Sequence, residues 1–519
     1  MATVVIDPVT RIEGHLKVEV LIDGGYVKEA KCSGVMFRGF ELLLKNRDPR
    51  DAQRLTQRVC GVCPAIHATA AALALDNAFG IDGKLTQNGR IIRNLILGSN
   101  YLQSHILHFY HLAALDYVDV TAAADYQGSD ADLQSVSSFL ARGALEPFVP
   151  RCEGDYRLTK QENRAATAHY VQALRMRRKA HEMLAIFGGK MPHDMGIVPG
   201  GVTVTPSVDK IAAFYHSVNE LGAFVENVYL PDVLMVAGAY KDYFGLGKGA
   251  DTFLCYGAFD LEGGTSDPLR RKRFFPGGVV DGGLNRADVD AAKIIEYVTC
   301  SWYEDRGGNA HPTQEETIPA QDKPGAYSWL KAPRYDGKVT EVGPLARVLA
   351  AYVAGHEQVK KAVDEVLTSL GGKLPELLSV CGRHAARAIE AKILAAALAD
   401  WVMQIKPREP AYIDYQLPAE SEGAGLADGP RGALGHWIRI KARKIDNYQL
   451  VVPTTWNASP RDAQGQPGPI ELALTGIRVR DENNPFEIVR IVRSFDPCLA
   501  CSVHAVDWRG RSLARYRIA

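Results

Sequence analysis

The chain has 519 residues, 46% apolar and 23% charged, and its 60 basic and 60 acidic side chains give a formal net charge of zero. That length supports a large buried core, and the balanced charge, with no basic block interleaved with aromatics, excludes nucleic acid as a partner. The longest apolar runs are short and broken by charge, and Met1 to Asp7 lacks the basic and apolar regions of an export signal, so neither a transmembrane helix nor a signal peptide is expected.

In chain order, His15 to Ile22 alternates as a strand, Asp23-Gly24-Gly25 offers a turn and Tyr26 to Ala30 returns. From Pro64 the character turns helical: Ala68 to Phe79 is rich in Ala and Leu, and Gly80 can end the run. Further helical patterns run from about Gln87 to Tyr117, Lys160 to Phe187, Val208 to Val228, Leu345 to Leu370 and Pro375 to Ile405. Between about Tyr240 and Ala320, Gly, Pro and charge mix without a sustained period, which predicts loops and short strands. The stretch Trp437 to Val452 reads as β. The fold class expected is α+β and predominantly helical, a long-helix core with small sheets near both ends, and the ends must meet.

Nine cysteines are present, five of them (Cys32, Cys152, Cys255, Cys300, Cys381) scattered singly and read as small buried residues. The other four form two CxxC pairs, Cys60–Cys63 and Cys498–Cys501, more than four hundred residues apart. Folded together, four thiolates make a soft, electron-rich site for a transition metal. Half of a zinc knuckle or a thioredoxin-type dithiol are the alternatives; the long separation and the Ala-rich helix after Cys63 weigh against both without removing them.

The flanking residues carry more. Arg11-Ile12-Glu13-Gly14-His15, the run Arg58 to His67 and the run Asp496 to His504 strongly resemble the large subunit of nickel–iron hydrogenases, in the respiratory, uptake-type branch. Phe37 to Glu41, Gly188 to His193, Tyr327 to Tyr335, Pro430 to Trp437 and Asn447 to Asn457 agree, in the family's order and over essentially the whole chain. The resemblance implies that Cys60, Cys63, Cys498 and Cys501 bind nickel, that Cys63 and Cys501 also bridge to iron, and that the iron carries carbon monoxide and cyanide. It implies that Glu13 takes the proton from Cys498, that Arg431 lies over the open coordination position with Asp496 offsetting its charge, and that backbone near Pro430 and Pro453, with the Thr454 hydroxyl, supplies the donors that hold the cyanides. His67 is expected near the bridging thiolate. Glu41, the Leu450 carbonyl and His504 resemble the ligands of a separate Mg²⁺ or Fe²⁺ ion.

One departure stands out: where many relatives carry a second carboxylate beside the arginine, this chain has Ser104, in Gln103-Ser104-His105-Ile106-Leu107-His108-Phe109-Tyr110-His111. The three histidines there are read as helix packing and not as metal ligands. Gly188-Gly189-Lys190 and Gly245 to Gly249 lack a phosphate-binding loop's spacing.

The activity implied is reversible cleavage of H₂ to two protons and two electrons, in the uptake direction. No cluster-binding cysteine run is visible, so the resemblance implies an iron–sulfur small subunit to take the electrons, with a membrane cytochrome b or another acceptor beyond it. It also implies nickel-insertion proteins and a maturation endopeptidase that cuts after His504, so residues 1–504 are expected as one domain and 505–519 as a removed extension. The expected location is the periplasmic face of the membrane, reached through the small subunit, with the cytoplasm as the alternative. Two rivals are a scaffold-sharing quinone-reductase subunit, which loss of the cysteines would mark, and a structural four-thiolate zinc protein.

Overall fold

The alternation of Leu16, Val18, Val20 and Ile22 puts four apolar side chains on one face of a strand, and that face is buried. In the computed structural model this strand, Leu16–Asp23, is the middle of an antiparallel sheet flanked by Ala2–Ile6 and Tyr26–Gly34. Gly24 and Gly25, at φ 60° and 79°, supply the left-handed pair that a two-residue hairpin with right-handed twist requires. The structure describes residues 1–502 apart from 144, 147 and 264, and only the backbone at 501 and 502. His504 and the extension 505–519 therefore lie outside the described residues.

A second antiparallel sheet, Ser421–Gly429, Gly432–Lys441 and Lys444–Val451, covers the β stretch expected near the C-terminus and extends it upstream. Its second hairpin turns on Ala442 and Arg443, both at positive φ. The helix Pro64–Ala78 lies on this sheet with almost every residue buried, which explains why Ala and Leu recur around it without a polar outer face. Small residues on both sides permit the approach. A Cβ on Gly425 would fall 1.9 Å from the Ala70 carbonyl oxygen, and one on Gly423 2.3 Å from that of Ala74.

The helices Gln87–Ile106, Lys160–Gly188, Val208–Phe224 and Val380–Val402 pack together as the long-helix core. Thr86 caps the first through Gly89, and Thr159 with Glu162 forms a reciprocal capping box on the second. Several predicted spans resolve differently. The 87–117 run leaves α geometry after Ile106 for a π-helical turn, Leu107–Ala113. The run expected over 345–370 is two helices, Pro344–Val353 and Glu357–Leu370, because Gly355 turns left-handed (φ 78°) and the His356 side chain caps the second through Val359. The last one begins at Val380, where Ser379 caps Gly382, and not at Pro375. The helical run expected to end at Val228 continues through a π-helical turn to Ala239 and is, by length and composition alone, apolar enough to cross a membrane, though part of it is buried within the protein.

The chain ends meet as required. Leu499 N–H donates to the Glu13 carbonyl at 2.8 Å and Glu13 N–H to that of Pro497 at 3.4 Å, a short parallel bridge between the first and last parts of the protein. Gly14 is at φ 80°, and a side chain there would fall 2.7 Å from the Ala500 nitrogen. Of the five single cysteines, Cys32, Cys152, Cys255 and Cys381 are buried; Cys300 is only half-buried, contrary to expectation.

Candidate metal centre

Cys60 ends a tight turn, Gln57–Val59, in extended backbone, and Cys63 is the N-cap of the helix that Pro64 opens. The Val62 and Cys63 amides donate to Cys60 Sγ at 3.2 and 3.3 Å, and the helix N-terminus favours negative charge at Cys63. From the other end of the chain, Asp496 adopts φ 54°, a conformation its short polar side chain tolerates, and turns Pro497-Cys498 inward. Cys498 N–H is fixed by the Thr454 hydroxyl oxygen at 2.9 Å. The sulfurs of Cys60, Cys63 and Cys498 consequently lie within 4.8 Å of one another, all buried, with Cys498 Sγ 3.4 Å from Cys60 Sγ and 3.9 Å from Cys63 Sγ. Thiolates around one tetrahedral ion at ~2.3 Å are spaced by about 3.8 Å, so the set fits a soft transition metal. The backbone of Cys501 falls in the helical turn Leu499–Ser502, and its side chain lies outside the described part.

Glu13 reaches the cluster from the bridged N-terminal segment. Its Oε2 lies 3.1 Å from Cys498 Sγ and accepts the Ala500 N–H at 3.0 Å. Desolvation and the nearby Cys60 charge raise its pKa to about 6, against lowering contributions from Cys498, Arg431 and the Ala500 amide. Arg431, also buried, donates through Nε to the Asp496 carbonyl at 3.1 Å and through its terminal nitrogens to Asp496 Oδ1 at 3.0 Å and to Ser104 Oγ at 3.3 Å. Burial opposes the guanidinium's charge, but Asp496 and the three sulfurs outweigh it and hold its pKa well above the ordinary range. Pro453 opens the short helix that carries Thr454, and the Pro430 carbonyl accepts from buried Arg347 at 3.3 Å.

Desolvation lowers His67 to about 4; its Nδ1 lies 3.3 Å from His436 Nε2, and His436 Nδ1 lies 2.7 Å from Tyr448 OH. Sequence reasoning assigned no role to His436, Tyr448 or Arg38. Arg38 donates to the carbonyls of Val59 and Ala500 and so ties the two cysteine loops together; its place in the Phe37 to Glu41 signature was the available signal.

Of the second ion's expected ligands, Glu41 and Leu450 are adjacent. The recorded contact runs from Leu450 N–H to Glu41 Oε1, at 3.1 Å, whereas the expectation concerned the carbonyl. Around them is a buried group that sequence reasoning missed: Lys331 Nζ lies 2.8 Å from Glu315, 3.4 Å from Glu296, 3.8 Å from Glu41 and 3.1 Å from the Gln449 side-chain oxygen. The three helix histidines take separate partners, His105 with Glu390 at 2.8 Å, His108 with the Arg493 carbonyl at 2.7 Å and His111 with the Tyr170 carbonyl at 3.3 Å.

The sequence profile described as "Nickel-dependent hydrogenase" matches residues 38–504, and one described as "HoxL-like" matches residues 3–33. The chain belongs to the nickel-dependent hydrogenase family. It is 43% identical to the periplasmic [NiFeSe] hydrogenase large subunit of Desulfomicrobium baculatum, over 96% of this chain and 94% of that one. To the uptake hydrogenase large subunit of Rhizobium leguminosarum bv. viciae it is 38% identical, over 99% and 97%. The solved Ni-Fe-Se hydrogenase of D. vulgaris Hildenborough superposes with a TM-score of 0.85 at 44% identity, covering 97% of this chain and 100% of that one. The protein is thus a hydrogenase large subunit, a mainly helical fold with small sheets, an oxidoreductase with a nickel–iron centre and a small-subunit partner.

Proposed function

We propose that Cys60, Cys63, Cys498 and Cys501 hold the nickel, that Cys63 and Cys501 are shared with an iron bearing carbon monoxide and cyanide, and that the enzyme oxidises hydrogen in the uptake direction. The observation that carries this is the convergence of three buried sulfurs within 4.8 Å, with a carboxyl 3.1 Å from one of them. When bound, the centre supplies the Lewis acidity and electron capacity that allow dihydrogen to split heterolytically. The chain's own groups handle the proton. Cys498 Sγ would serve as the base, and Glu13, at hydrogen-bond distance from it, would carry the proton onward, with its pKa pushed up to about 6 by burial. Arg431, fixed by Asp496 and Ser104, holds positive charge beside the sulfurs, and a buried guanidinium requires such a partner. The Thr454 hydroxyl holds the Cys498 backbone, and Thr454 with the backbone near Pro430 and Pro453 would hold the diatomic ligands.

Glu41, the Leu450 carbonyl and His504 are proposed to hold a Mg²⁺ or Fe²⁺ ion in a structural role. Residues 1–504 form the mature domain, and nickel-insertion proteins and an endopeptidase that removes 505–519 act before it is active. Electrons leave through clusters in the small subunit to a membrane cytochrome b or a comparable acceptor. A periplasmic position at the membrane follows from the small subunit, as the name of the D. baculatum relative supports.

Infrared spectroscopy of the purified complex, with nickel and iron content, tests the centre. Sharp metal-carbonyl and cyanide bands with about one nickel per chain are expected of a four-thiolate bimetallic site. Zinc without such bands would overturn the catalytic reading.

A further inference from the structure

The Val62 carbonyl, inside the first cysteine loop, accepts two side-chain amide bonds, from Asn100 Nδ2 at 2.9 Å and from Gln103 Nε2 at 2.7 Å. Both residues are fully buried and stand three apart on one face of the helix Gln87–Ile106. Gln103 is itself held from behind. Its Oε1 accepts from Arg177 Nε at 3.4 Å and lies 3.2 Å from His181 Nε2, both on the helix Lys160–Gly188. Burial lowers the His181 pKa to about 4, so near neutral pH it is an uncharged ring that donates to this oxygen. With two donors on Oε1, the amide nitrogen of Gln103 has one orientation available, toward Val62.

The Val62 oxygen and the Cys63 N–H belong to one planar trans peptide, in which C=O and N–H point in opposite directions. Fixing the oxygen from the helix side aims the N–H at Cys60 Sγ, 3.3 Å away. Two donors on the oxygen also polarise the peptide and strengthen what its N–H gives. Hydrogen bonds to a ligating sulfur withdraw electron density from it and raise the metal's potential.

We propose that Asn100 and Gln103 are positioning residues that tune the Cys60 sulfur through the Val62–Cys63 peptide, with Arg177 and His181 locking Gln103. This rests on the reading of Cys60 as a nickel ligand. Loss of a donor weakens the N–H···S bond and leaves the sulfur richer in electrons. The midpoint potential then falls, and the iron-bound carbonyl band moves to lower wavenumber.

The test uses the assembled heterodimer with Gln103→Leu, Asn100→Leu, the double variant, and near-isosteric Gln103→Glu, which keeps the acceptor for Arg177 and His181 but loses the donor. Nickel content, band positions and potential are measured in each, together with amide exchange at Cys63. Expected are unchanged nickel content, faster Cys63 exchange and downward shifts that are largest in the double variant. If a core variant fails to assemble, Arg177→Met on the partly exposed helix carries the test and is expected to give a smaller shift of the same sign. Wild-type enzyme with nickel and normal bands, but variants whose bands and potential do not move, would overturn the clamp alone. Wild-type protein without nickel would overturn the metal reading beneath it.

Discussion

Two carboxyls in this protein face opposite ways electrostatically, and burial does not separate them. Glu390 is fully enclosed, yet its pKa falls to about 2. Glu13 is only half-buried, yet its pKa rises to about 6. Desolvation is the largest single cause for each and raises both; the partners decide the sign. Arg347 grips Glu390 with two bonds, at 2.5 and 2.7 Å, and His105 adds a third at 2.8 Å. The same arginine holds Asp428 at 3.0 Å. Among the described residues, Glu13 bonds with one thiol and one backbone amide, while Arg431 is committed to Asp496 and Ser104. A carboxyl fully neutralised by a bidentate guanidinium is structural; one left short of cationic partners beside reactive sulfur is available for proton transfer.

The largest separation should come from removing each region's key charge. Glu13→Gln keeps the shape and the amide contact but cannot carry the proton, so hydrogen-driven dye reduction should fall by about 10²–10⁴-fold, with the unfolding midpoint nearly unchanged. Arg347→Met should act foremost on stability. It leaves Glu390 and Asp428 buried without their cation, at a cost of about 3–5 kcal/mol, read as a lower denaturation midpoint and poor recovery. Equal destabilisation by the two substitutions would erase the contrast.

Acid sharpens it next. Because the folded pKa of Glu390 is depressed, its contribution is present in full above the unfolded carboxyl value and is lost as pH falls from about 4.5 through about 2. A shift of that size corresponds to roughly 3 kcal/mol at neutral pH. Urea midpoints measured across this window should decline in the wild type and decline less steeply in Glu390→Gln, where Asp116, Asp155 and Asp260, also held down by arginines, still contribute. A decline of equal slope in both would assign the acid sensitivity elsewhere.

Much of the cysteine site was legible before the fold was known, because its chemistry is local: each CxxC pair, Glu13 and Arg431 sit inside short signatures. The meeting of the chain ends was also readable, since four ligands in two distant pairs demand it. What escaped notice depends on residues that no pattern links. Lys331 among Glu41, Glu296 and Glu315, and Arg347 between Glu390 and Asp428, join parts of the chain far apart in sequence. Helix breaks were missed where one residue decided them, as Gly355 does with its left-handed backbone before the His356 cap. The apolar character of Pro64–Ala78 marked burial, but not that Gly423 and Gly425 make room for it.

The smallest expected effect concerns Ser104, which gives Arg431 a neutral acceptor at 3.3 Å. Ser104→Asp would place a second carboxylate on the guanidinium and bring this region closer to the paired state of Arg347. A hydrogen bond to a charged group contributes about 1.5–3 kcal/mol, offset here by the burial of another charge, so the unfolding midpoint should rise only slightly. With its charge shared between two anions, Arg431 presents less positive potential to the sulfurs, and turnover should drop by less than about tenfold. Hydrogen oxidation and thermal midpoint, measured side by side, decide whether partial neutralisation here matters. If neither moves, the serine is a packing choice, and the contrast between the two regions rests on Glu13 alone.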